Sequence, residues 1–146
     1  MRYLTAAIAC LIAVPALAQD IETKPADGSV TEVMDRLEEA VNGAGATVFA
    51  RVDHTAGAES VGMEMPDAEL LIFGNPKLGT PAMQENIQAG LMLPLRVLVY
   101  DDEGQTMIAW QEVEDMMDEL GIDDDAEFVG QMEGAIGKLT DAAASE

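Results

Sequence analysis

The chain has 146 residues, a length typical of a single domain. It carries 28 acidic residues against 7 basic ones, which gives a formal net charge of −21. Binding to nucleic acid or to anionic lipid needs clustered lysines and arginines, and no such cluster is present. We therefore expect neither function, whereas a basic partner protein is compatible with this charge.

The N-terminus reads as a secretory signal. Arg2 precedes an apolar run that is too short to cross a bilayer as an ordinary helix, and Ala16-Leu17-Ala18 matches a cleavage site. We predict a signal peptide over residues 1–18, a periplasmic or secreted location, and no membrane attachment after cleavage. Because Cys10 lies inside this segment, the mature chain would lack thiols for disulfides or metal binding.

The domain is expected to begin after a short linker over residues 19–28, where apolar residues are few and Lys-Pro and Asp-Gly pairs favour turns. Ser29 and Glu32 then have the spacing of a capping box. Apolar residues recur behind them at helical spacing, and Asn42-Gly43 is a typical helix stop. This pattern predicts a first helix.

The middle of the chain is rich in strand patterns. Alternating or continuous apolar runs bounded by turn residues predict four strands, at 47–53, 68–74, 95–100 and 106–110. The last two are separated by Asp101-Asp102-Glu103-Gly104 and read as a hairpin. The small residues of 55–62 predict a short helix or a loop.

Further helices are expected between and after the strands. Thr80 is a candidate N-cap with Pro81 in the first helical position, for a helix that reaches about Ala89. Two more helices are predicted at 113–120 and 124–142, followed by a frayed tail at 143–146. The predicted class is α+β, with a mainly antiparallel four-stranded sheet and helices packed on one face.

Three stretches together resemble a known family. They are TVFARVDHTAGAESVG (47–62), ELLIFGNPKLGTPAMQ (69–84) and LPLRVLVYDDEGQTMIAW (93–110). They are similar to the domain-of-unknown-function family 302, most specifically in the middle stretch. The resemblance covers residues 29–142 and implies a fold similar to one half of the TATA-binding-protein fold, and a homodimer. It implies no activity.

A soft metal site is one candidate function. His54 is the sole histidine, and Met63 and Met65 follow it closely. An imidazole with two thioethers suits Cu(I) in an exported protein that lacks cysteine. The alternatives are a histidine bonded to backbone at a strand end and methionines that fill gaps in the packing.

The segment at 75–80 is the other candidate. It follows a buried strand and precedes a predicted helix, so its backbone amides could hold an anion, with Lys77 adding charge. We therefore take the ligand-binding candidates to be His54, Asn75, Lys77, Gly79 and Thr80. The alternative is a structural turn with a capped helix.

No catalytic set is recognisable in the sequence. The leading hypothesis is an exported, non-catalytic binding or accessory protein that acts as a homodimer and takes copper or a small ligand. One alternative is an enzyme that uses His54 and the 75–80 loop on a small anionic substrate. Another is an acidic interaction module that docks to a basic protein.

Overall fold

A computed structural model describes residues 21–145, so the predicted signal peptide lies outside the described residues. This part of the chain contains five strands: β1 (Ile21–Pro25), β2 (Thr47–Asp53), β3 (Ala68–Gly74), β4 (Leu95–Asp102) and β5 (Gln105–Gln111). It also contains six helices: α1 (Val30–Gly43), α2 (His54–Ser60), α3 (Pro76–Glu85), α4 (Ala89–Met92), α5 (Val113–Asp118) and α6 (Glu127–Ala144). None of these helices within 21–145 is long and apolar enough to span a membrane.

The strands form one sheet in the order β1-β5-β4-β3-β2, and every neighbouring pair is antiparallel. The α+β class and the antiparallel sheet are therefore confirmed, but the prediction of four strands was wrong. The fifth strand, β1, lies inside the segment that was predicted as a linker. Its sequence IETKP is mostly exposed and ends in proline, a composition that is tolerated at a sheet edge and carries little strand signal.

One face of the sheet is covered by helices. Along β4, Leu95, Val97 and Val99 are buried, whereas the residues between them are only partly covered or exposed. These buried residues belong to a core that also includes Leu37 of α1 and Ile136 of α6. The alternation follows from the two-residue period of a strand, which points successive side chains to opposite faces.

The first helix begins as predicted. Ser29 Oγ accepts a hydrogen bond from the Glu32 amide at 3.3 Å, and Glu32 Oε2 accepts one from the Ser29 amide at 2.8 Å. This reciprocal capping box lowers the pKa of Glu32, chiefly through the backbone hydrogen bond from Ser29. The apolar stripe behind it is fully buried, at Val33, Met34, Leu37 and Val41.

The next long helix starts earlier than expected. Asn75 is its N-cap, accepting a hydrogen bond from the Lys77 amide at 3.0 Å, and Pro76 stands in the first turn. The predicted start at Thr80-Pro81 was wrong because Asn75-Pro76 offers the same pairing of cap and proline one turn sooner. Most of the predicted 75–80 loop is therefore helical, with Pro81 inside α3.

The hairpin turn is tighter than expected. Asp102 pairs with Gln105, which leaves only Glu103 and Gly104 as the connection. Both have positive φ, of 53° and 94°, as in the two-residue turns that match the twist of a hairpin. The strands therefore extend into the region that was predicted as the turn.

The C-terminal helix also differs from its predicted bounds. It begins at Glu127 rather than Asp124 and continues to Ala144. Ala143 is fully buried, and the Ala144 carbonyl accepts a hydrogen bond from the Asp27 amide at 2.9 Å. The prediction of a frayed tail from 143 was wrong, because this contact with the residues after β1 holds the last turn in place.

Candidate functional site

A cavity of about 380 Å³ lies at one end of the sheet. The antiparallel order brings the start of β2, the end of β3 and the start of β4 together there. Helices α3 and α6 close the sides, and the segment from α4 to β4 adds a further wall. The cavity therefore forms only where six separate elements meet.

The lining of this pocket is almost entirely apolar. The sheet and the turns at its end contribute large side chains, at Phe49, Phe73, Leu93, Pro94 and Leu95. The helices contribute Leu78, Met83, Met132, Ala135 and Leu139. Phe49 is 57% exposed, an unusual state for a phenylalanine, and its position in the pocket wall accounts for it. The arrangement suits an apolar ligand.

The predicted ligand-binding segment contributes to this pocket. Asn75, Gly79 and Thr80 are among its lining residues, as are Pro76 and Leu78, whereas Lys77 is exposed and is not among them. The Asn75 side-chain oxygen already caps α3. The segment thus lies at a pocket, but its surroundings there are apolar rather than those of an anion site.

His54 lies far from this pocket. His54 follows the last residue of β2, whereas Asn75 follows the last residue of β3. The two strands are antiparallel, with Thr47 paired to Gly74 and Asp53 to Glu69, so their last residues lie at opposite ends of the pairing. A strand rises about 3.3 Å per residue, so the seven-residue β2 separates its ends by roughly 20 Å. A small substrate therefore cannot touch both groups, and the structure does not form the predicted pairing of His54 with the 75–80 segment.

The metal candidates lie near the His54 end. His54 is exposed, and Met63 and Met65 are 66% and 41% exposed. Thr55 connects their two segments: its Oγ1 donates to the Pro66 carbonyl at 3.4 Å and accepts from the Ala68 amide at 2.9 Å. The segments that carry His54 and Met65 are thus adjacent.

Most of the pocket residues were not identified as site residues from the sequence. Met132, Ala135 and Leu139 lie in the segment 124–142, which was predicted only as a helix, and Phe49 was one position in the strand predicted at 47–53. No local motif marks them, because their shared feature is a position around a space between elements. A bulge between Val48 and Ala50 interrupts the β2 pairing beside Phe49, and alternation alone does not reveal it.

The fold and the pocket define a small α+β domain with an apolar cavity. The family model described as "Domain of unknown function DUF302" matches residues 22–143. The chain belongs to this family, so the predicted resemblance is confirmed. The match begins within β1, which supports the inclusion of that strand in the domain.

Curated relatives give a second comparison. The chain is 37% identical over 123 residues to "Fluoride-specific ion channel FluC 1" of Brucella suis, a match that covers 81% of this chain and 47% of the relative. It is equally similar to proteins called FluC 1 in Brucella abortus and FluC 2 in Brucella melitensis, with 44% of each covered. The chain thus spans less than half the length of these relatives.

A solved structure shares the fold. The crystal structure of an uncharacterised conserved DUF302 protein from Bacillus stearothermophilus aligns with a TM-score of 0.78. The alignment covers 86% of this chain and 99% of that chain at 21% identity. At that identity the likeness shows the fold alone.

Proposed function

We propose that this protein is an exported, non-catalytic binding protein that holds a small apolar molecule in the pocket between α3, α6 and the end of the sheet. The observation that carries the proposal is a cavity of about 380 Å³ with almost exclusively apolar walls. Ligand sites in proteins typically have volumes of roughly 300–1,000 Å³. The pocket is therefore large enough for one small molecule.

The expected affinity follows from the area that such a ligand buries. Each buried methylene contributes about 0.8 kcal/mol, so about seven methylenes contribute roughly 5–6 kcal/mol. Losses of translational and side-chain freedom offset part of this gain. Dissociation constants in the range of about 0.1–1 mM are expected for a short chain.

An uncharged fluorescent dye tests the proposal. N-phenyl-1-naphthylamine should show a saturable rise in fluorescence with the wild-type protein. Ala135→Trp fills the cavity from α6 and should abolish that rise, whereas Ala142→Trp, at an exposed position of the same helix, should leave it unchanged. Failure of the wild-type protein to bind the dye, or equal binding by Ala135→Trp, would contradict the proposal.

Copper binding at His54, Met63 and Met65 is the second candidate. The hydrogen bonds of Thr55 that join the two segments support it. Native mass spectrometry with added Cu(I) should then show one bound ion, lost in His54→Ala. Gln84→Ala, at an exposed position of α3, serves as the control and should bind copper as the wild type does. Equal copper binding by wild type and His54→Ala would exclude this site.

The homodimer is also a proposal, and the open face of the sheet supports it. Leu70, Leu98 and Ala109 stand side by side on the face opposite the helices, by the register of β3, β4 and β5. Because the net charge of −21 disfavours contact between acidic surfaces, this apolar face is the favoured contact for a second copy. Leu98→Glu should shift the mass measured by sedimentation equilibrium from dimer to monomer. A wild-type monomer would exclude the proposal.

The relatives' names bear on partners and on fluoride. We infer that the domain acts beside a transport protein, since the relatives at 37% identity are called fluoride-specific ion channels. The apolar pocket and the acidic surface favour an accessory role over fluoride binding by the domain itself. The ¹⁹F resonance of fluoride should therefore keep its width when the protein is added.

The fold likeness to one half of the TATA-binding protein also remains a proposal, supported by the antiparallel sheet with helices on one face.

A further inference from the structure

The lining of the pocket differs in charge from the chain as a whole, whose sequence has 28 acidic residues. No aspartate or glutamate is among the described residues that line the cavity. A second cleft adjoins it, because Ala44, Ala135 and Leu139 line both. Lys138 lines this second cleft, and again no carboxylate is among the residues described there.

The basic residues divide into two groups. Within residues 21–145, Lys24 forms an ion pair with Asp141, and Arg51 with Asp35, Glu38 and Glu69. The other two arginines donate hydrogen bonds: Arg36 to the carbonyls of Asp27 and Ala143, and Arg96 to the Gln111 side chain.

Lys77 and Lys138 are different. Among the described residues, neither has an ion pair or a hydrogen bond to its side chain. Of the lysine and arginine side chains described in residues 21–145, these two are therefore the ones with neither an ion pair nor a hydrogen bond. Lys138 lies in the cleft that adjoins the cavity, and Lys77 belongs to the first turn of α3, whose Pro76 and Leu78 line the cavity.

We propose that the ligand is an amphipathic acid, a free molecule whose apolar body fills the pocket and whose single acidic group lies in the adjoining cleft at Lys138, with Lys77 adding positive charge. This inference rests on the proposed binding function. The net charge of −21 repels an anion at a distance, but charges separated by more than about 8 Å are largely screened at physiological ionic strength. Lys138, which lines a cleft with no carboxylate among its described lining residues, therefore supplies the attraction for the acidic group.

A matched series of ligands tests the inference. Octanoate and 1-octanol share an apolar chain and differ in charge, and each would be titrated against the bound N-phenyl-1-naphthylamine. Octanoate should displace the dye at about tenfold lower concentration than octanol, and added NaCl should weaken octanoate alone. In the Lys77→Gln/Lys138→Gln variant octanoate should lose that advantage, whereas octanol should be unaffected.

A control variant has the same net charge as the Lys77→Gln/Lys138→Gln variant. Lys24→Gln/Arg96→Gln removes two positive charges that already have partners, and it should retain the preference for octanoate. Loss of the preference in this control as well would assign the effect to overall charge and overturn the inference.

The remaining outcomes separate this inference from the proposed function. Equal displacement by octanoate and octanol would overturn the acidic ligand and leave the apolar pocket intact. If the dye does not bind and neither octanoate nor octanol has an effect, both the acidic ligand and the apolar binding function are overturned. Flotation with phosphatidylglycerol vesicles distinguishes a free acid from a lipid headgroup, and capture that depends on Lys77 and Lys138 would overturn the assignment to a free molecule.

Discussion

Arg51 donates a hydrogen bond from Nε to Glu69 Oε2 at 2.5 Å, and the two side chains join neighbouring strands on the face that the helices cover. Glu69 is only 8% exposed, and its other oxygen accepts a hydrogen bond from Thr31 of α1 at 3.0 Å. The hydrogen bond and the charge of Glu69 raise the pKa of Arg51, so the guanidinium stays charged. This pair fastens β2 to β3 and to the first helix.

Removal of the cation should destabilise the fold. Arg51→Met leaves the Glu69 carboxylate nearly buried without its partner, and breaking a fully buried pair in this way costs about 3–5 kcal/mol. Because the Arg51 side chain is 26% exposed, we expect a loss of roughly 2–3 kcal/mol in the free energy of unfolding by urea. Arg96→Met, on the exposed face, should cost less than about 0.5 kcal/mol. Equal losses in the two variants would contradict the role of the pair.

The capping box should make stability depend on pH. The pKa of Glu32 is lowered from its ordinary value of 4.5, so its contribution is complete above that value and is lost as the pH falls through the folded-state pKa. Glu32→Ala should therefore be less stable than wild type at pH 7 and approach it at acid pH. Urea unfolding across this range measures the difference, and a difference that does not change with pH would count against the mechanism.

Glu112 should make stability depend on pH in the opposite direction to Glu32. Burial, followed by the nearby charges of Asp115 and Glu133, raises its pKa, so the ionised form is disfavoured in the folded state. Stability is then greatest below the ordinary pKa and declines as the pH rises through the folded-state value. Glu112→Gln should be more stable than wild type at pH 7, by no more than about 0.5 kcal/mol, with the gain absent at acid pH. Asp118→Asn, at an exposed position of α5 whose charge is not among the causes of this shift, is the control.

The hairpin turn should require its glycine. Gly104 has φ of 94°, and a Cβ there would meet no atom within 4 Å, so the cost of Gly104→Ala comes from the backbone alone. We expect a loss of about 1–2 kcal/mol in unfolding free energy. Gly43 has equally open surroundings at the end of α1 but no positive φ, and Gly43→Ala should be neutral or stabilising. An unchanged unfolding free energy in Gly104→Ala would show that the backbone of the turn adopts another conformation without cost.

The sequence by itself determined the elements whose signals are local. The capping box of Ser29 and Glu32, the apolar stripe behind it, and the strand over 68–74 were each predicted within the bounds that the structure shows. Such patterns depend on hydrogen bonds and side-chain periods within a single segment, and a single sequence records them. The family resemblance followed from the same stretches.

Only the tertiary structure decided how these segments meet. β1 became a strand because the edge of β5 offers partners for its backbone, although its own residues are mostly exposed and polar. Asn75 and Thr80 are separated from His54 because antiparallel pairing sends the ends of β2 and β3 in opposite directions. The pocket brings Phe49, Met83 and Leu139 together across three elements, and such proximity depends on packing between segments, which no local pattern records.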